Sequence, residues 1–242
     1  MNVDITLPDG SVRNYESPVT GYQIAESIGP KLLKDAICVE IDNKFQDLSY
    51  EISESINIRI VTTKDLDALH ILRHSSAHIL AQAVLNLYPN AQFGVGPSIE
   101  NGFYYDFLFE TPIKENELEK IEKEMKSIAK SAQSFIRSEI TKKDAVKIFR
   151  NQKLKLELIE SAESDEGVGE EIVSTYANDE FIDLCMGPHV PSTSVLKHFK
   201  LTKVSGAYWR GDESNVQLQR IYGTSWFSKE DLDQYLIQQE EA

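Results

Sequence analysis

The sequence contains only two cysteines, Cys38 and Cys185, among its 242 residues. Two thiols are too few for the disulfide framework of a small secreted protein, so a reducing, cytoplasmic environment is expected. No run of eighteen apolar residues is present either, which argues against a membrane-spanning helix and a membrane partner. The start, MNVDITLPDG, lacks the charged and apolar regions of a secretory signal and the Arg- and Ser-rich pattern of a transit peptide.

Basic residues are also scarce, with 25 Lys and Arg against 39 Asp and Glu and a net charge of −14. Such a charge disfavours passive binding to a polyanion. The distribution is uneven, because residues 126–155 hold nine Lys or Arg and two acids, whereas residues 156–184 hold ten acids and no Lys or Arg. These runs are either ordinary solvated surface or a basic strip that could meet phosphates beside an acidic wall.

The pattern of apolar residues divides the chain into two regions. In the first sixty residues, alternating strands, a turn at Pro8–Gly10 and a β-branched run at Ile56–Val61 give the order β-β-α-β-β-β, which predicts a small β-grasp, ubiquitin-like domain. A long helix is predicted from Asp65 to Tyr88, where Pro89 ends it. Further helices and strands follow, so the fold class is α+β, and the larger domain is expected to contain an antiparallel sheet and this long histidine-bearing helix.

Two short motifs concentrate the reactive side chains, His74-Ser-Ser-Ala-His78 and Cys185-Met-Gly-Pro-His189. They use three of the five histidines and one of the two cysteines. On a helix, residues four apart share a face, so both imidazoles of the first motif should lie in the inward stripe. In the second motif, Gly187-Pro188 prevents a regular helix, so Cys185 and His189 should converge through a turn. One composite site is therefore predicted.

The residue types leave three kinds of chemistry open at this site. Imidazole nitrogens and a thiolate suit zinc, although the metalloprotease pattern would also need a glutamate between the two histidines, and none is present. Without a metal, the histidines could position a water and move protons for ester or amide hydrolysis, with Asp183 as the orienting group or base. Alternatively, Cys185 could be a nucleophile paired with His189 or His74.

Five longer motifs occur in a characteristic order, and through them the chain resembles the N-terminal half of bacterial threonyl-tRNA synthetases over essentially its whole length. They are RHSSAHILAQAV (73–84), FGVGPSIENGFYYDF (93–107), KLELI (155–159), DLCMGPHVPST (183–193) and KLTKVSGAYWRGDESNVQLQRIYGT (200–224).

The resemblance implies a TGS domain over residues 1–62, a tRNA editing domain over 63–224, and a linker helix over 225–242 that leads toward a catalytic core outside this chain. It also implies that the chain does not form threonyl-adenylate by itself. By the same resemblance, the chain is expected to be a monomer, whereas the full-length synthetase is expected to be a homodimer through its core.

The function implied by the resemblance is proofreading, in which serine is hydrolysed from mischarged seryl-tRNA(Thr). Serine lacks only the methyl group of threonine, a difference worth about 1–3 kcal/mol in binding, so a synthetic site cannot strongly exclude it. A second pocket too small for the methyl group can select serine instead. The expected partner is the acceptor end of tRNA(Thr) carrying serine.

Residue roles follow from the same resemblance. The polar centre would consist of His74, His78, Cys185 and His189. Asp183 would fix the seryl amino or hydroxyl group, and Lys155 would contact the terminal adenosine or support the attacking water. The wall against a methyl group would be formed by Gly94, Gly96 and Tyr104. Met186 stands where the family usually has arginine, which puts one contact to RNA or substrate in doubt.

No cofactor is expected to be required, although zinc could be held by His74, His78, Cys185 and His189, as a similar quartet holds zinc in related alanyl-tRNA editing domains. Two other functions compete with proofreading. One is a non-catalytic RNA-binding or regulatory module in which the histidines are structural. The other is a zinc-dependent deacylase of alanyl-tRNA.

Overall fold

A computed structural model describes residues 2–241 of the chain, which fold as a mixed α+β protein. It divides into two compact units. The first comprises the residues up to Ile71 together with Gly187–Pro191, and the second comprises Leu72–Met186 and the residues from Ser192 onward. Among the described residues, no helix combines the length and the apolar character that crossing a bilayer would require.

The first unit is a β-grasp, which confirms the prediction. Its five-stranded sheet has the order β2-β1-β7-β4-β5, in which β1 and β7 are parallel and the other neighbours are antiparallel. Its elements are β1 (Asn2–Thr6), β2 (Val12–Glu16), β3 (Val19–Thr20), α1 (Gly21–Ile28), α2 (Pro30–Asp35), β4 (Ala36–Ile41), β5 (Lys44–Asp47), β6 (Glu51–Ile52) and β7 (Ile56–Thr62).

The core of this unit follows from the alternation in its strands. Val3 and Ile5 project from one face of β1 and pack against Ile24 of α1 and Ile58 of β7. Burial raises the pKa of the Cys38 thiol on β4 to about 12, so it stays protonated and acts as a small core residue.

The later elements include two antiparallel sheets, with the orders β14-β15-β10-β8 and β11-β12-β13, and β9 pairs separately with β10. The elements are α3 (Asp67–Leu87), β8 (Gln92–Phe93), β9 (Ser98–Ile99), β10 (Gly102–Leu108), α4 (Leu118–Lys130), β11 (Ile136–Thr141), α5 (Lys142–Ile148), α6 (Lys153–Glu160), β12 (Ile172–Asn178), β13 (Phe181–Leu184), β14 (His198–Tyr208), β15 (Gln217–Trp226) and α7 (Lys229–Glu241).

Helix α3 is the long histidine-bearing helix, and it is more deeply buried than a single inward stripe would require. Every residue from Ile71 to Val84 is buried except His74, which is half-buried. The small side chains on its other faces permit this. Ser76 donates a hydrogen bond to the Leu72 carbonyl at 2.9 Å, and its hydroxyl also shares a 2.9 Å hydrogen bond with the Ser225 hydroxyl of β15. A helix that is buried on every side is a core helix rather than a surface amphipathic one.

Candidate active site

The two motifs meet at His74 and Cys185. His74 lies on α3, and its Nε2 shares a 3.0 Å hydrogen bond with Sγ of Cys185, which follows the end of β13. The Cys185 backbone N–H donates to the Ser174 carbonyl of β12 at 3.1 Å, so the β12–β13 hairpin fixes the start of the thiol-bearing segment. This pairing joins residues that are 111 positions apart in the sequence.

A buried ion pair lies two residues before the thiol. Lys155 of α6 is completely inaccessible, and its Nζ lies 2.5 Å from Oδ1 of Asp183. Tyr105 of β10 donates its hydroxyl proton to Oδ2 of Asp183 at 2.5 Å and accepts a hydrogen bond from Lys155 Nζ at 3.0 Å. Burial and the negative charge of Asp183 raise the pKa of Tyr105 well above its usual range, so the phenol remains a neutral donor.

The position of Lys155 differs from the expectation that it ends an exposed basic strip. Its neighbour Lys153 is exposed, but Lys155 lies on the inner side of α6 with Leu154, Leu158 and Ile159. The ammonium also lies 4.7 Å from the ring centroid of Phe93, a cation–π contact. A buried charge is tolerated only when it is paired and hydrogen-bonded, and Asp183 and Tyr105 meet that requirement.

His78 packs mainly against aromatic rings. It is buried, and its ring meets Phe135 and Phe181 edge-on at centroid distances of 5.3 and 4.9 Å. Burial lowers its pKa to about 4, an effect that the negative charge of Asp183 partly offsets. The imidazole is therefore neutral near pH 7 and can act as a hydrogen-bonding group but not as a cation.

His189 is buried, and its backbone N–H donates to Oδ1 of Asp47 at 3.0 Å within the first unit. Within the second unit, the His74 imidazole and the Cys185 thiol offer two donors of types that suit zinc. A zinc site that adds His78 and His189 to them stays a prediction.

The predicted pocket wall divides between two faces of β10. Gly96 approaches the Tyr105 ring so closely that a Cβ at this position would lie 2.1 Å from Tyr105 Cδ2, and the Gly94 carbonyl oxygen lies 3.3 Å from the Tyr105 hydroxyl oxygen. Tyr104 instead lies beneath Arg220, with Cζ of the guanidinium 3.8 Å from its ring centroid. Because successive side chains of a strand alternate between faces, Tyr105 is the tyrosine that reaches Lys155 and Asp183. The role of Tyr104 as a wall stays a prediction.

Sequence reasoning missed two residues near this centre, Tyr105 and Glu166. Tyr105 is adjacent to Tyr104 in the sequence, and the two tyrosines differ only in which face of β10 their side chains occupy. Glu166 is half-buried, and burial raises its pKa to about 7, while Lys155 opposes that shift and Asp183 adds to it. No sequence signal distinguished Glu166, because it lies within the run of ten acids between residues 156 and 184.

Comparison with known families gives two domain matches. Residues 3–62 match the TGS domain, and residues 173–222 match the threonyl and alanyl tRNA synthetase second additional domain. The second match covers β13, with Asp183, and continues through Cys185 and His189 into β15.

Similarity to known proteins extends over nearly the whole chain. The chain is 53% identical to a threonine--tRNA ligase of Burkholderia multivorans, 50% identical to one of Francisella philomiragia and 51% identical to one of Paraburkholderia phytofirmans. Each alignment covers 99% of this chain but 37% of the relative. The chain thus corresponds to the N-terminal region of threonine--tRNA ligases, as the sequence motifs predicted, and spans little more than a third of their length.

Proposed function

We propose that the second unit is an ester hydrolase that removes serine from mischarged seryl-tRNA(Thr), with the acceptor end of that tRNA as its partner. The family match supports an editing-type domain. The observation that carries the proposal is the buried Lys155–Asp183–Tyr105 cluster beside the His74–Cys185 pair. Asp183 of the cluster precedes Cys185 by two residues in the sequence. Burying an ion pair costs several kcal/mol per ion before pairing offsets it, and such sites are often functional.

The proposed reaction is attack by water on the ester carbonyl. The water oxygen forms a bond to the carbonyl carbon, and the bond from that carbon to the ribose oxygen breaks. His74 accepts the proton of the water and passes it to the departing ribose oxygen, so the products are serine and a tRNA with a free hydroxyl. An aminoacyl ester is already activated, so the protein has to hold the water and stabilise the oxyanion.

The buried polar side chains around the site would stabilise the transition state of this step and hold the substrate. Lys155 is held rigidly by Asp183 and Tyr105, and we infer that its positive charge stabilises the oxyanion across the site rather than contacting the terminal adenosine. Asp183 would hold both Lys155 and the seryl amino or hydroxyl group. Neutral His78 would provide a hydrogen bond, while Gly94, Gly96 and Tyr104 would exclude the methyl group of threonine.

A metal is not required by this mechanism. If zinc binds, His74 and Cys185 would hold it within the second unit, and the ion would supply Lewis-acid polarisation of the carbonyl and a water of lowered pKa. The remaining residues would keep the roles given above. Because both mechanisms use the same residues, the effect of a chelator on the hydrolysis rate distinguishes the zinc mechanism from the metal-free one.

The decisive experiment is deacylation of tRNA(Thr) charged with serine, threonine or alanine, with and without chelator. We expect hydrolysis of the serine ester, little hydrolysis of the threonine ester, and no effect of chelator. His74→Gln should reduce the rate by about a hundredfold or more, which is the usual contribution of a proton-transfer group. Cys185→Ala should also reduce the rate, because it removes the thiol that shares a 3.0 Å hydrogen bond with His74 Nε2. His70→Gln, one turn earlier on α3 and exposed, is the matched control and should retain the rate.

Each other result identifies a different function. Affinity for tRNA without hydrolysis of any ester would replace the proposal with a non-catalytic RNA-binding module. Chelator-sensitive hydrolysis with alanine preferred would indicate a zinc deacylase. Unchanged serine hydrolysis in both His74→Gln and Cys185→Ala would move the reaction to another part of the chain.

A further inference from the structure

The strand register of β12 and β13 places the Ser174 side chain beside the thiol of the proposed site. Tyr176 of β12 lies opposite Asp183 of β13, so Ser174, two residues earlier, lies opposite Cys185, two residues later. The Cys185 backbone N–H donates to the Ser174 carbonyl at 3.1 Å, which shows that the pairing continues to this point. Directly opposite residues point to the same face with Cβ atoms about 4.5–5.5 Å apart, so the hydroxyl and the thiol are neighbours.

The Ser174 hydroxyl is buried but not hydrogen-bonded. The residue is 6% exposed, and its Oγ has no hydrogen-bond partner among the residues that the structure describes. On the other side of β12, the residue opposite Ser174 is Glu139 of β11, whose carboxylate pairs with Arg137 at 2.9 Å. The Ser174 backbone is fixed, because its N–H donates to the Gly167 carbonyl at 2.7 Å. A buried hydroxyl without a partner is destabilising, so a ligand that supplies the partner would explain it.

The other polar groups near this position already have partners. In the cluster of Lys155, Asp183 and Tyr105, one carboxylate oxygen faces the ammonium at 2.5 Å and the other accepts the phenol proton at 2.5 Å. The His74 imidazole shares its 3.0 Å hydrogen bond with the thiol. Ser174 differs from these groups, because it offers a donor and an acceptor that no described residue uses.

We propose that Ser174 is a specificity-determining residue whose hydroxyl binds the side-chain hydroxyl of the seryl group. This inference rests on the proposed function, and it leaves the seryl amino group to Asp183. Two hydroxyls can pair in either direction, because each is both a donor and an acceptor. An alanyl group offers no such partner, so with that substrate the buried Oγ would stay unpaired. A site built around a substrate hydroxyl rejects the analogue that lacks it for this reason.

The test compares serine with alanine on the full chain, in deacylation of charged tRNA(Thr) and in binding. The binding probe is adenosine that carries serine or alanine on a 3′ nitrogen, because an amide resists the hydrolysis that an ester undergoes. In Ser174→Ala, the serine-to-alanine ratio of kcat/KM should fall by about fivefold to tenfold, as for one lost hydrogen bond between neutral groups. The ratio of affinities for the two amides should fall similarly. The values for the alanine compounds should stay within about twofold of wild type.

Matched controls separate specificity from folding and from catalysis. Removal of an unpaired buried hydroxyl breaks no bond, so the thermal midpoint of Ser174→Ala should equal or exceed that of wild type. Ser138→Ala alters an exposed serine of β11 on the opposite face of the sheet and should keep both ratios. His74→Gln should lose deacylation but keep the preference for the seryl amide.

Four results would overturn the inference. They are an unchanged serine-to-alanine ratio in folded Ser174→Ala, an equal loss for the serine and alanine compounds, equal affinity of wild type for the two amides, or a midpoint in Ser174→Ala that is several degrees lower. The last would show that the hydroxyl has a structural partner. If wild type hydrolyses neither ester but prefers the seryl amide through Ser174, the proposed hydrolase fails while this specificity role stands.

Discussion

Lys155 and Asp183 form a buried ion pair, and neither residue could remain charged in this environment without the other. The lysine is fully inaccessible and the aspartate is 4% exposed, so removal of one leaves an uncompensated charge in the interior. We expect Lys155→Met to lower the free energy of unfolding by about 3–5 kcal/mol. The double variant Lys155→Met, Asp183→Asn should cost less than the sum of the single variants, because it leaves no unpaired charge.

Urea unfolding of the two single variants and the double variant measures this coupling. Lys153→Met, on the exposed side of the same helix, is the control and should change stability by less than about 0.5 kcal/mol. Strictly additive costs would show that the two charges do not depend on each other, and the electrostatic role given to Lys155 would then fail.

His78 makes stability depend on pH in a defined direction. Its pKa is about 4 in the folded protein and 6.5 in the unfolded chain, so the unfolded state binds the proton more tightly. The contribution of His78 to stability is therefore complete above pH 6.5 and is lost as the pH falls toward 4. From the size of the shift, the loss between pH 7.5 and 4.5 is about 2–3 kcal/mol.

Comparison of wild type with His78→Gln isolates this effect from the many carboxylates that titrate in the same range. Urea unfolding at pH 7.5 and 4.5 should give a smaller acid-induced loss in the variant, by about 2–3 kcal/mol. His70→Gln, which removes an exposed imidazole from the same helix, should retain the wild-type loss. Equal losses in wild type and His78→Gln would mean that His78 is charged in the folded protein.

The position of a single site residue could be predicted from the sequence where its spacing from another residue determined which side chains lie together. The i, i+4 spacing placed His74 and His78 on one helix, and the rarity of histidine and cysteine pointed to Cys185 as a partner of that helix. Spacing could not show which imidazole would meet the thiol. The burial of Lys155 and the choice of Tyr105 over Tyr104 both depend on which face of an element meets the core, and that is settled by tertiary packing.

At the scale of elements, the long periodic segments were predictable and the short edge elements were not. The first hairpin, α3 and α4 follow clear periods of two or of about 3.6 residues. Strand β11 is exposed along most of its length and lacks the alternation of a half-buried strand, so only its pairing with β12 defines it. Strand β12 is nearly continuously buried, a pattern that periodicity cannot assign to a strand.

One element, the loop before β9, is expected to control the position of Tyr105. In Gly96→Ala the new Cβ would lie 2.1 Å from Tyr105 Cδ2, so either the loop or the ring has to move. We expect a stability loss of about 1–3 kcal/mol, as for other overpacked sites, and a lower rate of serine deacylation because Tyr105 orients Asp183.

Urea unfolding and the deacylation assay measure the two effects. Gly29→Ala is the matched control, because a Cβ there would meet no atom within 4 Å. It should leave the deacylation rate unchanged. A Gly96→Ala variant with wild-type stability and wild-type rate would show that the loop yields easily and that the glycine does not hold the tyrosine in place.

At the scale of the whole molecule, the charge of −14 opposes the compact state. Local ion pairs act in the other direction, and the most extensive joins Arg59 to Glu40, Asp65 and Asp67 at 2.6, 2.9 and 3.0 Å. These side chains are 22–55% accessible, and exposed pairs contribute only about 0–1 kcal/mol each. The general repulsion among acids should therefore dominate the response to salt.

Raising potassium chloride from 20 to 200 mM at pH 7.5 should consequently stabilise the protein, because the screening length falls from about 20 Å to below 10 Å and weakens repulsion between distant carboxylates. A gain of about 1 kcal/mol corresponds to a rise in the thermal midpoint of about 2–4 °C for a chain of this length. The rise should shrink near pH 5, where carboxylates begin to protonate and the net charge falls. Arg59→Gln removes the main exposed network and should enlarge the rise at pH 7.5. A midpoint that falls with salt in both proteins would mean that specific ion pairs, rather than net charge, determine how salt acts on this fold.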